Sequence, residues 1–197
     1  MAPEPTFRAA NLADASALAV LVDIAGEGVP NWLWHSLAGP GRSALEVGRD
    51  RARREEGGFS YRHATLAEFG NEIVACLIVY PLDNPYDLTG LEDMPAHVQP
   101  LVRLEAQAPG SWYVNVLATF PEFQGQGIGA GLLGIAETKG REAGAPAMSI
   151  IVGSWNEGAG RLYQRAGYDT VATEPAILPP EFPQSGDWTL MMRPLMS

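Results

Sequence analysis

A single cysteine occurs in the 197 residues, Cys76, so no intrachain disulfide can form and no cysteine-based metal cluster can assemble. It sits in the apolar run Ile73 to Tyr80, where a buried core thiol is expected. Basic side chains are scarce as well: 13 Lys and Arg face 23 Asp and Glu, for a formal net charge of -10. Nucleic acid and anionic membranes are polyanions that need clustered cations, so neither is an expected partner. Twelve of the thirteen basic residues are Arg and Lys139 is the one Lys, a bias to which no function is attached. No run approaches the ~18 apolar residues of a membrane span, and Met1-Ala-Pro-Glu-Pro5 has neither a basic n-region nor an apolar core. A cytoplasmic protein acting on small molecules is expected. No repeat, low-complexity tract or metal-ligand set stands out.

What is present is a glycine cluster, Phe120-Pro-Glu-Phe-Gln-Gly-Gln-Gly-Ile-Gly-Ala130. Gly125, Gly127 and Gly129 let backbone N–H groups converge with no Cβ in the way, just before a helical pattern whose N-terminus favours an anion. Gly125 to Ala130 formally matches the dinucleotide fingerprint G-x-G-x-x-A. In that fold, however, the glycines follow directly on a strand and a carboxylate ends the next strand, and here neither holds. No Gly-Lys-Ser/Thr follows, so a Walker loop is excluded.

The rest of the chain reads as alternating elements. Thr6 to Arg8 predicts a strand, and Asn11 and Asp14 a capping-box start to a helix with Leu18, Leu21, Val22 and Ala25 on its apolar face. Gly26 and Gly28 close that helix, and the aromatic stretch Pro30 to His35 follows. A second helix is expected from Ser43 to Glu56, with Arg49, Arg51, Arg53, Arg54, Glu55 and Glu56 on a solvated face. Ser60 to Glu68 and Asn71 to Tyr80 predict two strands of a tight hairpin across Phe69 and Gly70. From Pro81 to Gly110 the composition turns to Pro, Asp, Glu and Gly around one helical pattern, Val98, Leu101, Val102 and Glu105; this stretch reads as an insertion over a mouth, an oligomer contact or a surface excursion. A buried strand is expected at Trp112 to Thr119. After the glycines come a helix ending at Gly144, a strand at Ala147 to Val152, a helix at Asn156 to Ala166, and strands at Tyr168 to Thr173 and Trp188 to Arg193. The order calls for an α/β sheet covered by helices.

Gln124-x-x-Gly127-x-Gly129, set behind a strand and the turn Pro121-Glu-Phe123, resembles the acetyl-CoA-binding motif of the GNAT acyltransferase superfamily. Phe7-Arg-Ala-Ala-Asn-Leu-Ala-Asp14 looks like that family's first strand and helix start, and Asn156-Glu-Gly-Ala-Gly-Arg-Leu-Tyr-Gln-Arg-Ala-Gly-Tyr168 like its second cofactor segment. The element order agrees from residue 6 to 193, while Pro81 to Gly110 is longer than the turn usual there. The resemblance implies one acyltransferase domain over 1–197 with 81–110 inserted. Its expected fold is mixed α/β (α+β): a mostly antiparallel sheet of about 6–7 strands, with about 4–5 helices on both faces.

It further implies roles. The pyrophosphate of acetyl-CoA would rest on the backbone of Gln124, Gly125, Gln126, Gly127, Ile128 and Gly129, and the pantetheine arm on the main chain of Leu117, Ala118 and Thr119. Tyr163 would donate a proton or hydrogen bond to the departing thiolate, with Asn156 on the cofactor arm. Glu27 and His35 are candidate bases for the acceptor amine, and Glu105 a more remote one; Tyr113 and Asn115 stand on the central strand where some members carry a glutamate. Trp32 and Trp34 line an acceptor pocket or pack structurally. The implied reaction is acetyl transfer from acetyl-CoA to an amine of a small molecule or peptide, by direct attack in a ternary complex. The acidic surface favours a cationic amine, and a homodimer is compatible. The competing readings are a non-catalytic acyl-CoA-binding module and, more remotely, a dinucleotide-dependent oxidoreductase.

Overall fold

A computed structural model describes residues 4–195, so the opening Met1, Ala2 and Pro3 lie outside the described residues. The elements are β1 (Thr6–Ala9), α1 (Ala15–Ala25), α2 (Val29–Leu37), α3 (Ala44–Ala52), β2 (Ala64–Phe69), β3 (Glu72–Pro81), α4 (Gln99–Glu105), β4 (Trp112–Thr119), α5 (Ile128–Glu142), β5 (Ala147–Gly153), α6 (Glu157–Arg165), β6 (Asp169–Pro175) and β7 (Asp187–Pro194). The seven strands run in the order β1-β2-β3-β4-β5-β7-β6. Pairing is antiparallel for β1 with β2, β2 with β3, β5 with β7 and β6 with β7, and parallel for β4 with β5. This is the mixed, mostly antiparallel sheet that the element order predicts, with six α-helices in place of four or five.

The described residues form two compact units, residues 4–80 with 115–135 and residues 81–114 with 136–195. In the first unit, α1, α2 and α3 share a core with one face of the strands through Leu18, Leu21, Trp34, Val47, Leu66, Cys76, Ile78, Val116 and Ala118. Removing such side chains from water is the main force that holds the layers together. The start of α1 is local chemistry: Asn11 accepts from Ala13 N–H at 2.9 Å and Asp14 accepts from Asn11 N–H at 2.8 Å. Asp14 also binds Arg8 at 2.8 Å, and Arg8 reaches Glu68 at 2.7 Å, so β1, the helix start and β2 are tied by one guanidinium. The other face is covered by the first half of α5, where a Cβ on Gly131 would lie 3.1 Å from the Phe7 ring.

Three expectations change here. The aromatic stretch at Pro30 to His35 is itself a helix, α2, with Pro30 within its first turn and Trp34 buried. A proline is tolerated there because the first amides of a helix have no internal acceptor. The helix expected over Ser43 to Glu56 ends at Ala52, since Arg53 to Glu56 bury no apolar surface; Ser43 and Glu46 cap its start reciprocally. Its contact with α2 depends on Gly48, where a Cβ would fall 2.4 Å from the Trp34 ring. The first hairpin strand begins at Ala64, after a 3-10 turn at Tyr61–His63.

In the second unit, β4 pairs with β5 over Trp112 to Val114, with Tyr113 opposite Ser149 and Trp112 opposite Met148. Paired residues share a face. The Trp112 and Met148 face receives α5, because a Cβ on Gly140 would meet both side chains at 2.8 to 3.1 Å. The Tyr113 and Ser149 face is marked by a buried Ser111–Ser149 hydroxyl pair at 2.6 Å. The stretch from Pro81 to Gly110 belongs to this unit, and its helix α4 packs against β5, β6 and β7.

Candidate active site

In the first unit the chain leaves β4 through Phe120, whose N–H donates to Val74 O of β3 at 2.9 Å. Successive amides on a strand point to opposite sides. Ala118 N–H therefore also faces β3, where it meets the Cys76 sulfur, and Leu117 and Thr119 direct theirs away from β3. Beyond Phe120 a 3-10 turn, Pro121–Phe123, sets the loop, and Gln124 Nε2 closes it on Thr119 O at 3.2 Å. Gly125 and Gly127 then adopt φ of 76° and 81°, in the left-handed region that disfavours any residue with a Cβ. Their missing Cβ atoms would meet nothing within 4 Å, so the backbone conformation demands glycine there.

Gly131 N–H donates to Gly127 O at 3.0 Å, the first bond of α5. The amides just before it, from Gly127 to Ala130, have no protein acceptor among the described residues, as at any helix start. Gln124 to Gly127 are exposed, whereas Ile128 is buried and anchors the first turn. No acidic side chain occupies that turn. Unpaired N–H groups at the positive end of a 15-residue helix are the kind of donors that can hold an anion.

In the second unit, Asn156 is the cap of α6 and not a member of its first turn: Oδ1 accepts from Ala159 N–H at 3.1 Å, which leaves its side-chain NH2 to donate elsewhere. Tyr163 lies on the buried side of α6, its ring 6.0 Å from that of Tyr168. Burial pushes the Tyr163 hydroxyl well above the usual phenol range, so it stays protonated and able to donate at neutral pH. Tyr168 N–H donates to Tyr163 O at 3.0 Å and ties the end of the helix to the next strand.

The remaining expected residues fall as follows. Glu27 stands at φ 51° in the turn after α1, half-buried, and His35 is exposed on α2. Trp34 is buried core. Asn115 donates to Gly58 O at 2.9 Å and is thereby engaged in holding that loop. Cys76 is fully buried and its thiol is pushed up to about 12, so it carries no thiolate at neutral pH.

The glycine loop differs from a dinucleotide site in the turn between strand and glycines, and the sheet has one parallel strand pair among those described. The sequence from 29 to 168, which holds both the glycine loop and the Asn156 to Tyr163 segment, matches the model of the Acetyltransferase (GNAT) family. The chain belongs to the GNAT family.

Among relatives, a mycothiol acetyltransferase of Propionibacterium freudenreichii subsp. shermanii is 36% identical over 66 residues, which is 34% of this chain and 21% of that protein. The chain thus matches about a fifth of the length of this curated relative. Among solved GNAT folds, the polyamine N-acetyltransferase of Drosophila melanogaster, described as catalysing formation of N-acetylagmatine, superposes with a TM-score of 0.70 at 16% identity, covering 97% of this chain and 100% of that one. A putative acetyltransferase from Salmonella typhimurium, solved with acetyl-CoA, superposes with a TM-score of 0.58 at 17% identity, covering 98% and 95%. At these identities the likeness establishes the fold. Among the described residues, no helix is long and apolar enough to cross a membrane.

Proposed function

We propose that the chain transfers an acetyl group from acetyl-CoA to the amine of a small molecule, by direct attack and without an acyl-enzyme. The observation that carries this reading is the exposed cradle of unpaired amides around Gly127, held open by two left-handed glycines inside a GNAT sequence. The pyrophosphate of the cofactor binds the amides of Gly125 to Gly129 together with the positive end of α5. The outward N–H groups of Leu117 and Thr119 take the pantetheine amides, and one of them polarises the thioester carbonyl as negative charge grows on its oxygen. Tyr163 donates to the departing thiolate, and the Asn156 carboxamide nitrogen binds the cofactor arm. Direct attack is favoured because the one thiol, Cys76, is buried and protonated.

The acceptor is a cationic amine, in keeping with the net charge of -10, which speeds encounter with cations. Small amines are favoured over peptides by the polyamine acetyltransferase that shares the fold. The test is release of free thiol from acetyl-CoA across a panel of simple amines, amino acids, polyamines, aminoglycosides and peptides. Release with one class of small amine is the expected result. Tight acetyl-CoA binding with no release from any of them would instead establish a non-catalytic acyl-CoA-binding module.

A further inference from the structure

Residues 42–62 hold six of the thirteen basic side chains, Arg42, Arg49, Arg51, Arg53, Arg54 and Arg62, against four acidic ones, in a chain whose net charge is -10. Two of the six are committed to carboxylates: Arg42 pairs with Asp50 and Arg62 with Glu55. Glu46 is held by the Ser43 cap. A local excess of positive charge is left at the end of α3, within the first unit.

Arg51 differs from the others. Expected on a solvated face, it is half-buried, with its Cζ 5.8 Å from the centre of the Phe59 ring. Its Nε is shut off from water with no hydrogen-bond partner, and no ion pair holds the guanidinium among the described residues. The charged group that acts on it is Arg54, a like charge. The negative end of α3 favours a cation in the last turn. That alone does not explain a head group that loses hydration and gains no acceptor, because a surface arginine avoids this cost by keeping its head in water. A guanidinium in this state gains more from an incoming anion than a fully hydrated one does.

The platform beneath Arg51 is fixed at both ends. Ser60 Oγ donates to Arg54 O at 2.6 Å, and Gly58 O accepts from the Asn115 carboxamide of β4 at 2.9 Å. Gly58 also approaches β3 so closely that a Cβ there would fall 2.8 Å from the Tyr80 hydroxyl. Phe59, between these two ties, packs against the core shared with α1, α2 and α3. Packing therefore sets the ring and the guanidinium over it. Asn115 stands two residues before Leu117, so this loop is tied to β4 roughly 7 Å along the strand from the first of the outward amides. All of these residues belong to the first unit.

We propose that Arg51, stacked on Phe59, binds a carboxylate of the acceptor, so that the substrate is an amino acid and not a carboxylate-free amine. This rests on the acetyl-transfer reading above. A guanidinium presents two parallel N–H donors to the two oxygens of a carboxylate, and an aromatic face beneath it holds that fork in one plane. The acidic chain as a whole draws the ammonium end of such a molecule, and the excess of arginine after α3 draws the other end.

The test measures thiol release from acetyl-CoA with matched acceptors that differ by one carboxylate: lysine against cadaverine, 4-aminobutyrate against propylamine, and phenylalanine against phenethylamine. Wild type should prefer the carboxylated member of at least one pair by about tenfold to a hundredfold in kcat/KM, the range of a hydrogen-bonded charge pair. Arg51→Gln should abolish that preference, with the loss carried by KM. Arg51→Lys should fall between the two, because it keeps the charge and loses the fork. The preference is a ratio within each variant, so a partly unfolded preparation does not disturb it. If Arg51→Gln does not fold, Arg51→Lys decides, and a wild-type preference in it overturns the proposal. Wild type that acetylates both members of every pair alike, or Arg51→Gln that keeps the preference, overturns the role of Arg51 and leaves acetyl transfer standing. A tenfold or greater loss of acetyl-CoA affinity in Arg51→Gln also overturns it, since the guanidinium would then serve a cofactor phosphate. No thiol release from wild type with any acceptor overturns both readings.

Discussion

Replacing Gly127 by alanine separates the glycine loop from the rest of the proposed cofactor site. At φ 81° an L-residue with a Cβ is strained by about 1–2 kcal/mol, and with nothing within 4 Å of the added atom that strain is the whole direct cost. For a chain of this size the expected fall in Tm is roughly 2–4 °C per kcal/mol. The variant can relieve the strain only by rotating the peptides on either side, which turns the Ile128 amide out of the cradle. A hydrogen bond to a charged group is worth about 1.5–3 kcal/mol, so loss of one weakens acetyl-CoA binding by about tenfold to a hundredfold. Calorimetric titration with acetyl-CoA reads this directly. S-acetylpantetheine, which has the thioester and the pantetheine arm but no pyrophosphate, provides the control, and its KM should be unaffected. An unchanged acetyl-CoA Kd, or an equal loss with both donors, refutes the assignment of the loop to the pyrophosphate.

Tyr163→Phe should lower kcat by about 100-fold while leaving the acetyl-CoA Kd and the packing against Tyr168 intact, as measured by steady-state kinetics and titration. Gly48→Ala drives a Cβ to 2.4 Å from the Trp34 ring, and despite the better helix propensity of alanine it should destabilise the protein by about 1–2 kcal/mol in urea unfolding. The Arg8 guanidinium holds the Asp14 carboxyl below the usual aspartate range. A depressed folded-state pKa contributes stability above the unfolded pKa, near 3.9, that is lost as pH falls through the folded value. In denaturant titrations from pH 6 downward, Asp14→Asn should be less stable than wild type at pH 6, and the gap should close below pH 4. A gap that persists at low pH would locate the effect in lost packing or capping.

Much of this protein is legible from local chemistry. The Asn11–Asp14 capping box is read within four residues and forms as read, because both hydrogen bonds close inside one turn. The strand Trp112–Thr119 begins and ends where its apolar run does, and the helix after the glycines ends beside Gly144. The glycine spacing likewise announces an anion cradle, since the left-handed φ values at 125 and 127 are a demand on residue type. Where local chemistry was silent, the reading failed. The segment Val29–Leu37 buries one of its nine side chains, so no helical stripe marks α2, and Trp34 is anchored by the gap left at Gly48. Arg53 to Glu56 continue a helix-compatible composition, yet with nothing to pack against the helix stops at Ala52.

The sequence by itself determined the family, the element order and the left-handed glycine positions at 125 and 127, because each rests on neighbouring residues and on what glycine alone permits. Only the tertiary structure decided which amides of β4 remain outward, since that follows from the single bond between Phe120 and Val74. It also decided the surroundings of Glu105. Nothing in the spacing of residues 86, 105 and 113 relates them; packing α4 on the sheet gathers two phenols around one carboxylate.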